Sequence, residues 1–184
     1  MGLADTLGLV DARVRFEALY RAHAGAVRAY VCRRSDAQAA DDVVADVFVV
    51  VWRRLDDVPE DPLPWLLGVA RRLLANRRRG RLRDTALRER VAAEAIVRSA
   101  TASMSDANRA VLVALGALSE RDREALLLVG WEGLEPVQAA RVLGLRPNTF
   151  AARMYRARRR FARALALASE SQDGKQPPTE AEVV

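Results

Sequence analysis

Apolar residues recur along this chain at helical intervals. Phe16, Leu19, Tyr20, Val27, Tyr30 and Val31 share one face at three- and four-residue spacing, which predicts a first helix over about 13–34. Ser35 followed by Gln38 has the spacing of a capping box and opens a second helix. There Val43, Val44, Val47, Phe48, Val51, Trp52 and Leu55 make a broad apolar face, with Asp42, Asp46, Arg53 and Arg54 lying off it. Pro59, Pro62 and Pro64 predict a stiff loop, because proline fixes φ and lacks an amide donor. A third helix turns Trp65, Leu66, Val69, Leu73 and Leu74 inward and carries Arg71, Arg72, Arg77, Arg78, Arg79, Arg81 and Arg83 on its other side. These helices bury one core, with Trp52 and Trp65 expected inside it.

Patterning weakens over 84–108. Residues 101–105 read as linker, although Leu87 to Ile96 has some helical character. Beyond Arg109 the pattern returns: Val111, Leu112 and Leu115 form a short helix, and Ser119 caps the next, which holds Leu126, Leu127 and Val129. Pro136 is a favourable first helical position, and Gly144 suits a left-handed cap. Between them Val137, Ala140, Val142 and Leu143 face a core. Pro147 opens a last helix reaching about Leu167, with Phe150, Met154, Phe161 and Leu165 on its apolar side. The polar tail, 169–184, contains Pro177-Pro178 and is expected to be disordered. The fold class is therefore all-α: two small helical domains, 13–84 and 110–168, joined by a flexible linker over 85–109, the second domain containing a helix-turn-helix.

Composition agrees with this and adds little, but charge changes the picture. The net charge is +6, and the tail contributes −3 through four acids against Lys175, leaving +9 for the rest. Residues 36–61 hold eight acids and two arginines, whereas residues 146–163 hold seven arginines and no acid. Lys175 is the only lysine, so a general preference for Arg explains the choice of cation. It does not explain the clustering, which implies nucleic acid as one partner and a second partner of opposite character.

Several chemistries are excluded. Cys32 and His23 are the only residues of their kinds, too few for a zinc site or an internal disulfide. No glycine-rich phosphate loop and no acid–base pair can be identified, so neither a cofactor nor an enzymatic reaction is expected. Residues 1–10 lack the basic-then-apolar pattern of a signal peptide. No uncharged apolar run spans a bilayer, and a cytoplasmic protein without membrane insertion is expected.

The strongest constellation runs from Pro136 to Arg163. Gly144-Leu145-Arg146 forms a tight turn, Thr149 and Phe150 open the second helix, and Arg153, Tyr155, Arg156, Arg158, Arg159 and Arg160 are set outward. A major groove admits one such helix, whose first turns meet base edges while later arginines meet phosphates. The competing reading is a basic amphipathic helix that only packs on its neighbours.

At this point a family resemblance is explicit. Asp41-Asp42-Val43-Val44-Ala45-Asp46-Val47-Phe48, then Val51-Trp52-Arg53-Arg54-Leu55, resembles the core-polymerase-binding helix of extracytoplasmic-function sigma factors. Trp65-Leu66-Leu67-Gly68-Val69-Ala70-Arg71 resembles the start of their promoter-melting helix. The stretch Ala117 to Leu128, with Glu132-Gly133-Leu134, Leu143-Gly144-Leu145, Thr149, Arg153 and Arg156-Ala157-Arg158, resembles their promoter-reading domain. The resemblance implies that Asp42, Asp46, Arg53 and Arg54 dock on core RNA polymerase. It implies that Val58, Arg71, Arg72, Asn76, Arg77 and Arg78 handle the opened downstream promoter strand. Asn148, Thr149, Arg153, Tyr155, Arg156, Arg158, Arg159 and Arg160 would bind the upstream promoter DNA, and an anti-sigma factor is a further candidate partner.

This chain departs from the family at four points. Arg72 stands where Asn is usual, Val58 where an aromatic is frequent, Ala151 where a basic residue is frequent, and Arg146-Pro147 where a Ser-Glu-like cap is usual. Promoter sequence is therefore not carried over. Two rival functions stand beside this one. An operator-binding regulator leaves the acidic second helix and basic third helix unexplained, and a helical adaptor for an acidic protein or RNA would lack duplex preference.

Overall fold

The computed structural model describes residues 3–84 and 105–173. Among these every regular element is helical: α1 Leu3–Cys32, α2 Ala37–Arg53, a 3-10 turn at Leu55–Asp57, α3 Pro62–Asp84, α4 Asp106–Gly116, α5 Glu120–Gly130, α6 Pro136–Leu143 and α7 Pro147–Asp173. The helical stretch expected between Leu87 and Ile96, and the proline pair of the tail, lie outside the described residues. The described residues fall into two compact units, one within Met1–Ala86 plus Glu132–Pro147, the other within Leu87–Trp131 plus Asn148–Val184.

In the first unit α1, α2 and α3 pack pairwise. Val27, Tyr30 and Val31 of α1 meet Val43, Val47, Phe48 and Val51 of α2 and Leu66, Leu67, Val69 and Ala70 of α3 in a buried core. The cap of α2 is one residue later than the sequence suggested. Asp36 accepts from the Ala39 amide at 2.7 Å, while Ser35 donates its hydroxyl back to the Val31 carbonyl at 3.0 Å. Pro62 and Pro64 lie inside the first turn of α3, not in the loop expected for them. Amides in a first turn have no intrahelical acceptor, so proline loses nothing there. Helix α6 also belongs to this unit and packs on α3, burying Ala139, Ala140, Val142 and Leu143. Val137 was expected inward but is 48% exposed.

Helix α1 begins about ten residues before the sequence pattern does. Val10, on that extension, and Val14, just after it, are exposed. Glu17 links Arg13 and Arg21 along this helix, and its carboxyl is held below the usual carboxylate range, chiefly by the hydrogen bond from Arg13.

The second unit rests on caps. Ser105 accepts from the Asn108 amide and opens α4 three residues before the expected end of the linker, and Ser119 accepts from the Asp122 amide to open α5. The Arg123 side chain donates to the carbonyls of Leu115, Gly116 and Leu118 at 2.8, 3.0 and 3.1 Å. These acceptors lie at and just beyond the C-terminus of α4, where a cation also suits the helix dipole. Phe150, Met154, Ala157 and Ala168 form the buried stripe of α7. That helix continues to Asp173, so residues 169–173, expected in the tail, are helical.

Candidate nucleic-acid interface

Two surfaces carry the candidate residues, one in each unit. On the first, α2 and α3 place opposite charges together. Arg77 donates to Asp46 at 2.9 Å and to Asp42 at 3.5 Å, and reaches the Ala39 carbonyl at 3.4 Å. The two carboxylates are one helical turn apart and repel each other; a guanidinium between them relieves that. Their side chains remain 71% and 50% exposed. Sequence reasoning had assigned these three residues to two different partners, and the structure joins them. At the end of α2, Arg53 is exposed, and Arg54 donates to Asp57 at 2.8 Å with its guanidinium 5.9 Å from the Trp65 ring centre. Both cations suit the negative end of the helix dipole.

An open depression of about 400 Å³ lies beside this charged edge, lined by Arg54, Pro59, Asp61, Pro64, Trp65, Gly68, Arg72 and Arg141. It combines an aromatic face, small or rigid walls and guanidinium donors. A Cβ added at Gly68 would meet no atom within 4 Å, so the helix leaves room there. Val58, assigned to this surface from the sequence, is instead only 7% exposed. Its amide closes the 3-10 turn on the Leu55 carbonyl, which draws the side chain into the core. Trp65, Gly68 and Arg72, which do line the depression, recur at i, i+3 and i+7 on α3. That spacing is visible in the sequence, and Trp65, expected in the core, is half-buried.

Of the remaining α3 candidates, Arg72, Asn76 and Arg78 are exposed and Arg71 is half-buried. Asn76 accepts from Arg79 at 2.5 Å. Trp52, expected in the core, is 46% exposed. It belongs to an aromatic cluster between α1 and α2, with its ring 5.3 Å from Phe16 and Tyr20 4.7 Å from Phe48. Glu132, just before α6, is an acid missed from the sequence. Its side chain is only 6% exposed, it pairs with Arg33, and it lies 3.1 Å from Arg34. A carboxylate so shielded from water needs such cations.

On the second surface, α7 begins after a turn made by Gly144, whose φ of 65° suits glycine. The Leu145 amide closes that turn on the Ala140 carbonyl at 2.9 Å. Asn148, Thr149, Tyr155, Arg156, Arg158 and Arg159 are exposed, and Arg153 is half-buried on the flank of the apolar stripe. Arg159 lies 5.8 Å from the Tyr155 ring centre. Arg160 departs from expectation: it forms an ion pair with Asp122 of α5 at 2.5 Å. Among the described residues no cluster of His, Cys, Asp or Glu could hold a metal ion.

Residues 19–84 match the family described as Sigma-70 region 2, and residues 108–161 match Sigma-70, region 4. The chain is 30% identical over 165 residues to the RNA polymerase sigma factor NccH of Alcaligenes xylosoxydans xylosoxydans, with 83% of each chain covered. Its fold is similar to that of the sigma factor RpoE from Bartonella quintana, solved with the anti-sigma factor NepR, at a TM-score of 0.61 and 23% identity over 82% of this chain and 96% of that one. It is also similar to CnrH, solved with the cytosolic domain of CnrY, at a TM-score of 0.52 and 27% identity over 88% and 89% of the two chains.

Proposed function

Because this chain belongs to the sigma-70 family of RNA polymerase sigma factors, we propose a division of its surface among core polymerase, the opened downstream promoter strand and the upstream promoter duplex. The chain is a small sigma factor of the extracytoplasmic-function type that binds core RNA polymerase and directs promoter recognition and initiation. We assign it no reaction of its own. The observation that carries this reading is the presence of both promoter-contacting regions, in order, on one chain. An operator-binding regulator has no use for the first of them.

Asp42, Asp46, Arg53 and Arg54 form the edge offered to core polymerase. The depression around Trp65 and Arg72 receives an unstacked base of the non-template strand: a flipped base gains an aromatic face for stacking and guanidinium donors for its edge and phosphate. Arg71, Asn76 and Arg78 continue that path along α3. The segment α6–turn–α7 is the helix-turn-helix, with Thr149, Arg153 and Arg156 at the base edges and Arg158 and Arg159 at phosphates. Residues 13–84 and 110–168 are the two functional modules, with 85–109 connecting them. Such a subunit works in the cytoplasm, and among the described residues no helix is long and apolar enough to cross a membrane. The RpoE and CnrH neighbours were each solved with a second protein, which supports an anti-sigma factor as a further partner.

The deciding experiment is transcription in vitro. Promoter-dependent transcripts should appear with core polymerase plus the purified chain, and with neither alone. Operator binding without any transcript would favour the regulator.

A further inference from the structure

The acid-free stretch of α7 is met by a carboxylate of α5. Asp122 is 5% exposed, and its Oδ2 lies 2.5 Å from Arg160 Nη1. Removing a carboxylate from water is unfavourable unless a cation and local dipoles compensate. Here both do. Arg160 supplies the cation, and Asp122 sits in the first turn of α5, where the helix dipole favours an anion. The backbone beneath it is fixed as well, since the Asp122 amide donates to the Ser119 hydroxyl at 3.2 Å. Asp122 is therefore a rigid anchor, and what it grips is the middle of α7.

Arg160 follows Arg153 by seven residues, two helical turns or about 10 Å along the axis, and shares its flank with Thr149 and Arg156. Ala157, between them, is fully buried. A clamp on Arg160 beside that seam resists rotation and sliding of α7 against α5. Those are the two movements that would re-aim Thr149, Arg153 and Arg156. We propose that Asp122 and Arg160 are positioning residues for promoter recognition: their ion pair sets the rotational register of the base-reading face, and Arg160 does not serve as a phosphate contact. This rests on the reading of α7 as the upstream-element helix.

The test uses holoenzyme reconstituted from the full chain and core polymerase, with promoter duplexes randomised in the upstream element. Asp122→Asn and Arg160→Gln should each flatten base preference and weaken the best site about tenfold. The double variant should be no worse than either single one, and the salt slope should not change. Arg160→Lys keeps the charge and should retain most of the preference. Arg160→Gln leaves the buried Asp122 without this cation, so the denaturant midpoint of each variant is read beside its base preference, and Arg160→Lys keeps the test valid should either neutral variant fold poorly. A uniform loss across all sequences for Arg160→Gln, with the salt slope lowered by about one, would make it a phosphate contact and overturn the inference. So would unchanged preference in Asp122→Asn. If the parent holoenzyme shows no upstream preference at all, the reading of α7 fails first, and the inference falls with it.

Discussion

The two charged surfaces of this protein handle their charge in different ways. On the first unit, acids and arginines from successive elements neutralise one another: Arg77 with Asp42 and Asp46, Arg54 with Asp57, Arg28 with Asp41. On α7 and at the residue before it, seven arginines fall within 146–163, and an ion pair seen there is Arg160 with Asp122. A sequence that alternates acidic and basic stretches can satisfy itself on folding. A stretch with no acid has fewer such means, and its field remains available to a polyanion. The difference teaches that an excess of one sign is better evidence for a binding surface than charge density is.

That contrast can be broken most forcefully by removing what supports the basic face. Phe150 is fully buried, directly beside exposed Thr149. Phe150→Ala should destabilise its unit by about 3–5 kcal/mol, read from the denaturant midpoint. A small effect would mean that the face does not depend on its core. Next, the depression on the first unit should behave as a stacking site through its Trp65 face. Trp65→Ala should reduce strand opening by about 1–3 kcal/mol, measured as permanganate reactivity of thymines near the start site. Equal losses in closed-complex formation would reduce it to a structural residue.

The basic face can then be resolved internally. Arg156→Ala should lose about 1–3 kcal/mol at particular base pairs, seen by selection from a randomised upstream element. Arg159→Ala should weaken all sequences alike and lower the salt slope by about one unit. Identical profiles would erase the distinction between the two positions. The smallest effect belongs to the self-neutralised surface. Arg77→Ala should change unfolding free energy by only about 0.2–1 kcal/mol, because its partners are half or more exposed. It should also leave the repelling Asp42 and Asp46 freer to meet a basic partner. Unaltered affinity for core polymerase in that variant would sever the link between the intramolecular pair and docking.

Periodicity made the helices legible wherever a face is buried. The inward set of α2 apart from Trp52, Phe150 and Met154 of α7, the Ser119 cap, Pro136 at the start of α6 and the left-handed Gly144 all follow from local rules that tertiary packing did not override, while Phe161 and Leu165 are half-buried. Legibility failed where those rules are silent. Val58 turned inward because a short 3-10 turn, which has no strong pattern, redirects the chain after α2, while Trp52 lies at the exposed margin of the α2 apolar face. Within the candidate sites, helical phase set the arginines outward, and Arg71, Arg77 and Arg153 among them are half-buried. Which arginine meets which acid was not readable: Arg77 with Asp46 and Arg160 with Asp122 are 31 and 38 residues apart, and such pairs depend on how helices dock.

The narrow buried stripe of α7 also bears on how such a protein can change over generations. Phe150, Met154 and Ala157 hold the helix, while Asn148, Thr149, Ala152, Tyr155, Arg156 and Arg159 project into solvent between them. Substitutions at exposed positions usually alter folding free energy by no more than about 0.5 kcal/mol. On the proposed reading of α7, the 3.6-residue repeat thus places inheritance of stability and inheritance of DNA preference on different residues of one helix. Mutational drift can explore new promoter sequences on one side without endangering the fold maintained by the other.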